Sequence, residues 1–402
     1  MNIHRGEYMI IRSTKIYCEE KVVDGFLIVE KGKIQAIKPA SEDLIADIDV
    51  GDKRIIPGII DTHNHGTMGY GIVKEFGDLD NLIKGYLKGL AYQGVTAILP
   101  TFSPSVFKEI AAASKKDYEG AKIIGIHSEG PYLNRVGEND IDEGHPEIDL
   151  EDLKKMVADS DGILKLMGLA PELKDSYLAI HYLVDQGIRV AFTHSDADYH
   201  EAMAAFKEGI SVATHTANVM SGIHHRRMGG LGACLLEPNV WCEIICDGLH
   251  VNDEMLEIMF KVKSYDKFIM ISDNTPMAGA PVGRYDLKVY QIVNVDEEGF
   301  CLNDTGALCG SSKPIIYGIA HLVDKLNIPL ETCLKMAALN PAIAYGVVDD
   351  KGSLKDGKDA DFVVIDDDFS VLYTYSEGRK VYDYQEDSDL FNKDFLAWCK
   401  IA

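Results

Sequence analysis

Pro57-Gly58-Ile59-Ile60-Asp61-Thr62-His63-Asn64-His65-Gly66 sets the terms for the rest of this chain. A Pro-Gly turn leads into residues 59–62, a short apolar run with the character of a buried strand. The strand delivers two imidazoles, His63 and His65, two positions apart. Side chains two apart on a strand share a face, so both rings point the same way and are able to share a metal ion. Taken alone, H-x-H is equally compatible with two surface histidines in a glycine-rich loop. The rest of the chain decides between these.

Beyond that stretch, apolar strands alternate with helical patterns. Eight strand candidates stand at 59–62, 96–99, 123–127, 164–169, 189–193, 211–214, 241–246 and 268–272. Helical patterns lie between most of them, at 79–93, 104–116, 150–158, 174–186, 198–208 and 252–263. Continuous apolar strands alternating with helices imply a parallel sheet covered on both faces. Eight repeats in under 300 residues fit an α/β fold of the (β/α)8, TIM-like barrel type. A doubly wound open sheet is the alternative, but no glycine-rich nucleotide loop follows the first strand.

The chain ends read differently. Residues 9–56 alternate short β-rich runs with turns, and the tail returns to that style at Phe362-Val363-Val364-Ile365 and around Glu377-Gly378-Arg379. The expectation is a small discontinuous β-sandwich domain, residues 1–57 with 350–402, flanking a barrel over 58–349.

In a barrel of this kind chemistry gathers where strands end. His63 and His65 follow the first strand; His127-Ser128-Glu129-Gly130-Pro131 ends the third; His194-Ser195 follows the fifth. His215 follows the sixth, Asp247-Gly248-Leu249-His250 the seventh, and Asp273 the eighth. His, Glu or Asp after six of eight strands is a constellation, and a set of imidazoles and carboxylates at one mouth suits a divalent transition metal.

Composition narrows the partners. The 402 residues carry 64 acids against 40 bases, a net charge of −24, which disfavours nucleic acid and anionic membranes. No run is long enough to span a bilayer, and the N-terminus has no apolar signal core. The eight cysteines are scattered without a C-x-x-C pair and read as reduced thiols of a cytoplasmic protein.

On these motifs the chain resembles the amidohydrolase superfamily: P-G-I-I-D-T-H-N-H follows a β-rich N-terminus. Within it, H-S-E-G-P, G-H-S-like T-H-S, T-H-x-x-N, D-G-L-H and the aspartate after strand eight resemble the N-acetylglucosamine-6-phosphate deacetylase family, over about residues 9–383. The resemblance implies metal-dependent hydrolysis of the acetamide of N-acetyl-D-glucosamine 6-phosphate to D-glucosamine 6-phosphate and acetate, in amino-sugar catabolism. It implies Glu129, His194 and His215 as main metal ligands, His63 and His65 as a second-site pair, and Asp273 as catalytic acid/base, with His250 placed to stabilise an oxyanion. Asn218, Val219, Asp247, His250 and the loop Leu308-Cys309-Gly310-Ser311 correspond to substrate contacts. Arg226 matches an arginine that in the family reaches the neighbouring subunit's substrate phosphate, so a homodimer is implied. One or two divalent ions per subunit are expected, zinc or iron first.

Some positions depart from the family. Ser128 replaces a leucine, Thr216-Ala217-Asn218-Val219-Met220 differs within its loop, and Arg226-Arg227-Met228-Gly229 replaces R-E-P-G. Cys309 stands in the A-G-S loop, and the sugar-contacting His or Gln expected after the metal glutamate falls on Ile141, with Asn139 and His145 the nearest polar choices. These changes bear on sugar preference, leaving the galactosamine epimer open. A hydrolase of cyclic amides or N-acyl amino acids is the second alternative; many of those use a carboxylated lysine, and Lys165 lacks the matching context. A non-enzymatic scaffold would have lost ligands, and none is lost.

Overall fold

The computed structural model describes residues 8–42, 44–135, 137, 147–288, 292–306, 308–387 and 389–399. The opening motif forms strand β1, Ile59–Asn64, buried along its whole length. Seven parallel strands follow it: β2 Val95–Pro100, β3 Ile126–Ser128, β4 Leu164–Leu169, β5 Arg189–Phe192, β6 Ile210–Ala213, β7 Trp241–Ile244 and β8 Phe268–Met270. The third expected strand is split. Lys122–Ile123 pairs with β2, whereas β3 pairs with β4. Gly125 lies at the break, where a Cβ would come within 2.3 Å of the Lys165 side chain, so only glycine allows the chains this close.

β3 to β8 form one six-stranded sheet in sequence order, and β1, β2 and Lys122–Ile123 form a second. Parallel bridges join their edges: Thr101 with His127 on one side, Asn64 with Asn274 on the other. The result is a curled parallel sheet whose two faces are both apolar. Ile98, Met167, Phe192, Ile244 and Met270 face the helices in the largest core. Their neighbours Leu99, Leu166, Ala191, Ile245 and Ile269 form a separate inner cluster with Trp241, Ala344 and Tyr345. Burying a side chain of this size is worth about 1.5–3 kcal/mol, so a one-residue slip, which exchanges the faces, is strongly disfavoured.

The expected helices form at Leu79–Tyr92, Phe107–Ala113, Leu150–Asp159, Ser176–Asp185, Tyr199–Glu208 and Asp253–Val262. The second is shorter than expected because Pro104–Val106 takes a 3-10 turn capped by Ser103. After β8 comes an element with no counterpart in the sequence reading, an antiparallel unit of Gly283–Asp286, Ile292–Val295 and Cys301–Leu302.

Both chain ends meet in one sheet. Its order is Arg379–Asp383, Val371–Ser376, Phe362–Ile365, Arg54–Pro57, Tyr8–Tyr17, Val22–Glu30, Lys33–Pro39, with Ile48–Asp49 beside Tyr8–Tyr17. Phe362–Ile365 pairs antiparallel with Arg54–Pro57, the segment that leads into β1. A sandwich would divide these strands between two facing sheets; here the hydrogen bonds link all of them into a single one. The last helix, Lys393–Cys399, lies elsewhere: Phe395, Trp398 and Cys399 pack on Tyr285, Val293, Val295 and Cys301 of the antiparallel unit. All eight cysteines are free thiols.

Candidate active site

The residues that follow the strands converge. Glu129, just past β3, is the hub, and its two oxygens face different partners. Oε1 lies 3.1 Å from His194 Nε2 and 2.9 Å from His215 Nε2, and those nitrogens are 3.1 Å apart. Oε2 lies 3.3 Å from His63 Nε2 and 3.1 Å from His65 Nε2, again 3.1 Å apart. Asp273 Oδ1 joins this second group, 3.4 Å from His63 Nε2 and 3.2 Å from His65 Nε2. The site is therefore two-lobed, with one carboxylate shared.

These atoms fit a metal ion. His194 Nδ1 donates to Arg135 O at 2.8 Å, and His215 Nδ1 donates to Asn218 O at 3.2 Å. With each Nδ1 carrying its proton outward, both Nε2 lone pairs point inward at each other and at a carboxylate. Acceptors gathered so closely need a cation between them. Bonds of 2.0–2.2 Å to a tetrahedral or octahedral ion imply ligand–ligand edges of about 2.8–3.6 Å, and every contact above falls in that range.

The backbone is bent to achieve this. His194, His215 and Asp273 have φ of 46°, 28° and 51°. Left-handed backbone costs an L-residue roughly 1–2 kcal/mol, and such strain concentrates where a side chain must be aimed. Neighbouring segments hold it: Asp273 N donates to His63 O at 2.9 Å, and His65 N donates to Asn274 O at 2.7 Å.

Electrostatics tell the same story. Burial disfavours charge on His63, yet the Glu129 and Asp273 carboxylates outweigh it and raise its pKa well above the usual value. Burial likewise opposes His65, and hydrogen bonds to Asp273 and Glu129 carry it up to about 9. Asp273 is pushed up by burial, but His63 and His65 prevail and hold it at about 2. Glu129 is held well below its usual range, against burial, by His63, His194 and His215. The cluster is built to hold positive charge, for which protons and a metal ion compete.

The remaining expected residues fall into three groups. Asn218 and His250 lie together at the mouth: Asn218 Nδ2 donates to His250 O at 2.9 Å, while the buried Asn218 Oδ1 has no hydrogen-bond partner. Val219 O accepts from Ser195 N at 3.1 Å, tying this loop to the one after His194. Asp247 stands behind His250: Oδ2 accepts from His250 Nδ1 at 2.7 Å, and Oδ1 accepts from the backbone N–H of Leu249 and His250. The loop from Leu308 through Cys309 and Gly310 lies beside Asp273, where Ser311 N donates to Asp273 O at 3.3 Å. Arg226, by contrast, is exposed at the turn of the hairpin Ile223–His224/Arg227–Met228. Asn139 and His145 lie outside the described residues.

Three buried groups under the cluster are given no role by the sequence reading. Glu243, in the middle of β7, faces His63 Nδ1 through Oε2 at 3.4 Å. His127 packs edge-on against His63, ring centroids 4.5 Å apart, and donates through Nδ1 to Thr62 O at 3.1 Å. Asp61 accepts from Ser272 Oγ at 2.5 Å and Asn64 Nδ2 at 3.2 Å, and burial lifts its pKa to about 6. For Glu243 the signal was available: one acid inside the apolar run Trp241-Cys242-Glu243-Ile244-Ile245-Cys246.

The chain is similar to known proteins. The Amidohydrolase family profile matches residues 54–381. An N-acetylglucosamine-6-phosphate deacetylase of Vibrio furnissii is 34% identical over 367 residues, 88% of this chain and 90% of that protein. An N-acetylgalactosamine-6-phosphate deacetylase of Escherichia coli O157:H7 is 30% identical over 384 residues, 92% of this chain and 98% of that protein. The crystal structure of an N-acetylglucosamine-6-phosphate deacetylase from Pasteurella multocida superposes with a TM-score of 0.80 at 29% identity, covering 93% of this chain and 99% of that one.

Proposed function

The chain belongs to the amidohydrolase family, and from that premise we propose that it hydrolyses the acetamide of N-acetyl-D-glucosamine 6-phosphate to D-glucosamine 6-phosphate and acetate. The observation that carries this is the Glu129 carboxylate shared between two histidine pairs, with Asp273 facing one of them. The similarity to amino-sugar-phosphate deacetylases supplies the substrate class.

Glu129, His194 and His215 would hold one divalent ion, zinc or iron first, and His63, His65, Asp273 and the other Glu129 oxygen a second. A divalent ion there supplies Lewis acidity, acidifying water and polarising a carbonyl. Asp273, facing His63 and His65, is the base; a bound cation would keep it ionised. It takes the proton of the attacking water and returns it to the amine nitrogen as the C–N bond breaks. His250, oriented by Asp247, donates a hydrogen bond to the developing oxyanion. Asn218, Val219, Asp247 and the 308–311 loop surround the sugar phosphate, Asp247 acting through His250; the unpartnered Asn218 Oδ1 supports a ligand contact there.

The same proposal takes the two parallel sheets as one closed (β/α)8 barrel over 58–349, with 1–57 and 350–402 as the β domain. The two edge bridges and the alternation of inner and outer apolar faces support closure. It includes a cytoplasmic homodimer in which Arg226 reaches the neighbouring site; exposed Ile223 and Met228 on that hairpin support a contact surface. No helix among the described residues is long and apolar enough to cross a membrane. A preference for the galactosamine epimer is the second reading, favoured by the Escherichia coli relative.

The test is acetate release from N-acetylglucosamine 6-phosphate by metal-loaded protein, with Asp273→Asn as control. Turnover is expected in the wild type, reduced about 10²–10⁴-fold in the variant. Turnover on the galacto epimer alone would move the substrate; turnover on neither would overturn the proposal.

A further inference from the structure

We infer that Glu243 is the buried counter-charge and orienting group of the His63–His65 lobe, and that it sets that lobe's affinity for a divalent ion. This rests on the two-lobed site proposed above. Glu243 has no solvent exposure, and neither have Thr62 and His63 beside it. Its Oε1 accepts from Thr62 Oγ1 at 2.8 Å and from Tyr345 OH at 3.4 Å; its Oε2 faces His63 Nδ1 at 3.4 Å. Among the described residues His63 is its only ion-pair partner. Two neutral hydroxyls do not offset a fully buried carboxylate. The compensating charge has to reach it through the His63 ring.

The contact has a direction. A carboxylate at Nδ1 keeps the proton on that nitrogen, turns the Nε2 lone pair to the lobe and makes the ring a stronger donor. The other lobe lacks this device: its histidines are oriented by backbone carbonyls, Arg135 O and Asn218 O. The charge balance agrees. Glu129, Asp273 and Glu243 place three carboxylates against the imidazoles, more than one divalent ion neutralises. His63, His127 and Glu243 also lie within 4.8 Å of one another. The His63 Nε2 lone pair is already directed to the lobe above, so this trio is an orienting layer and not a third site.

The experiment is a Co²⁺ titration of metal-free protein, read by calorimetry and ligand-field absorbance. The step lost in His63→Asn/His65→Asn identifies the lobe. In Glu243→Gln, which keeps the shape and removes the charge, that step weakens about 10–100-fold while the other is unchanged. Thr62→Val, which leaves the carboxylate but removes its anchor, weakens the same step less and serves if Glu243→Gln folds poorly. Two equivalents with unaltered affinity in both variants would overturn this inference alone. A single equivalent in the wild type would overturn the two-lobed site and this inference with it.

Discussion

Asp247 holds His250 by two hydrogen bonds, from its ring and its backbone N–H, and accepts a third from Leu249 N. Burial opposes charge on His250, but Asp247 prevails and raises its pKa; burial also pushes Asp247 up, and His250 prevails and lowers it. The signs fix the window. A raised histidine contributes stability that is present below its ordinary 6.5 and lost as pH rises through the folded value. A lowered aspartate contributes stability that is present above its ordinary 3.8 and lost as pH falls through the folded value. The pair is therefore strongest in mildly acid to neutral solution. In Asp247→Asn the His250 pKa should fall, read by NMR titration of the imidazole; an unchanged value would refute the contact. The sequence exposed Asp247 and His250 because both follow a strand end. It hid Glu243, because mid-strand positions are read for hydropathy and one acid among Cys242, Ile244 and Ile245 was absorbed into an apolar run.

The helix Tyr199–Glu208 shows what local chemistry does for the site. Asp198 accepts from the N–H of His200 and Glu201, and Glu201 accepts from Asp198 N, a complete capping box. This helix begins five residues after His194 and so steadies the loop that carries it. Asp198→Ala should cost about 0.5–2 kcal/mol in denaturant unfolding without changing metal content; an equal loss of metal would show that the cap acts on the site as well. The strands were legible because each is an apolar run bounded by turn residues, and their positions agree within a few residues. The antiparallel unit around Tyr285 and Val293 was not legible. Its strands are short, and its apolar face makes sense only once the distant helix Lys393–Cys399 packs on it.

At the scale of the whole molecule, the chain re-enters the terminal sheet through a buried charge cluster. Lys351, almost fully buried, contacts Asp359 and Asp361, each at 2.8 Å, just before Phe362–Ile365 enters the sheet. Burial pushes Asp359 up but Lys351 and Lys33 bring it below its ordinary 3.8; burial wins at Asp361, whose pKa is raised despite Lys351. Removing Lys351 leaves the buried Asp361 without a cation and Asp359 with Lys33 alone. Lys351→Met should destabilise the protein by about 3–5 kcal/mol at neutral pH. Without the lysine the Asp361 pKa rises further, so its contribution to the variant's stability is present below its ordinary 3.8 and is lost as pH rises. The gap to wild type should close toward pH 4; a gap independent of pH would refute the assignment. That both termini build one sheet followed from their shared β-rich style, whereas the single-sheet pairing depends on long-range partners no local pattern reveals.

The proposed hydrolysis needs a metal held by residues from the strand ends and used on an amide. Initial rates of acetate release from N-acetylglucosamine 6-phosphate, compared between chelator-stripped protein and the same sample reloaded with Zn²⁺, test it. The expected result is no turnover when stripped and full recovery on reloading. Equal turnover in both samples, or none in the reloaded one, would contradict it.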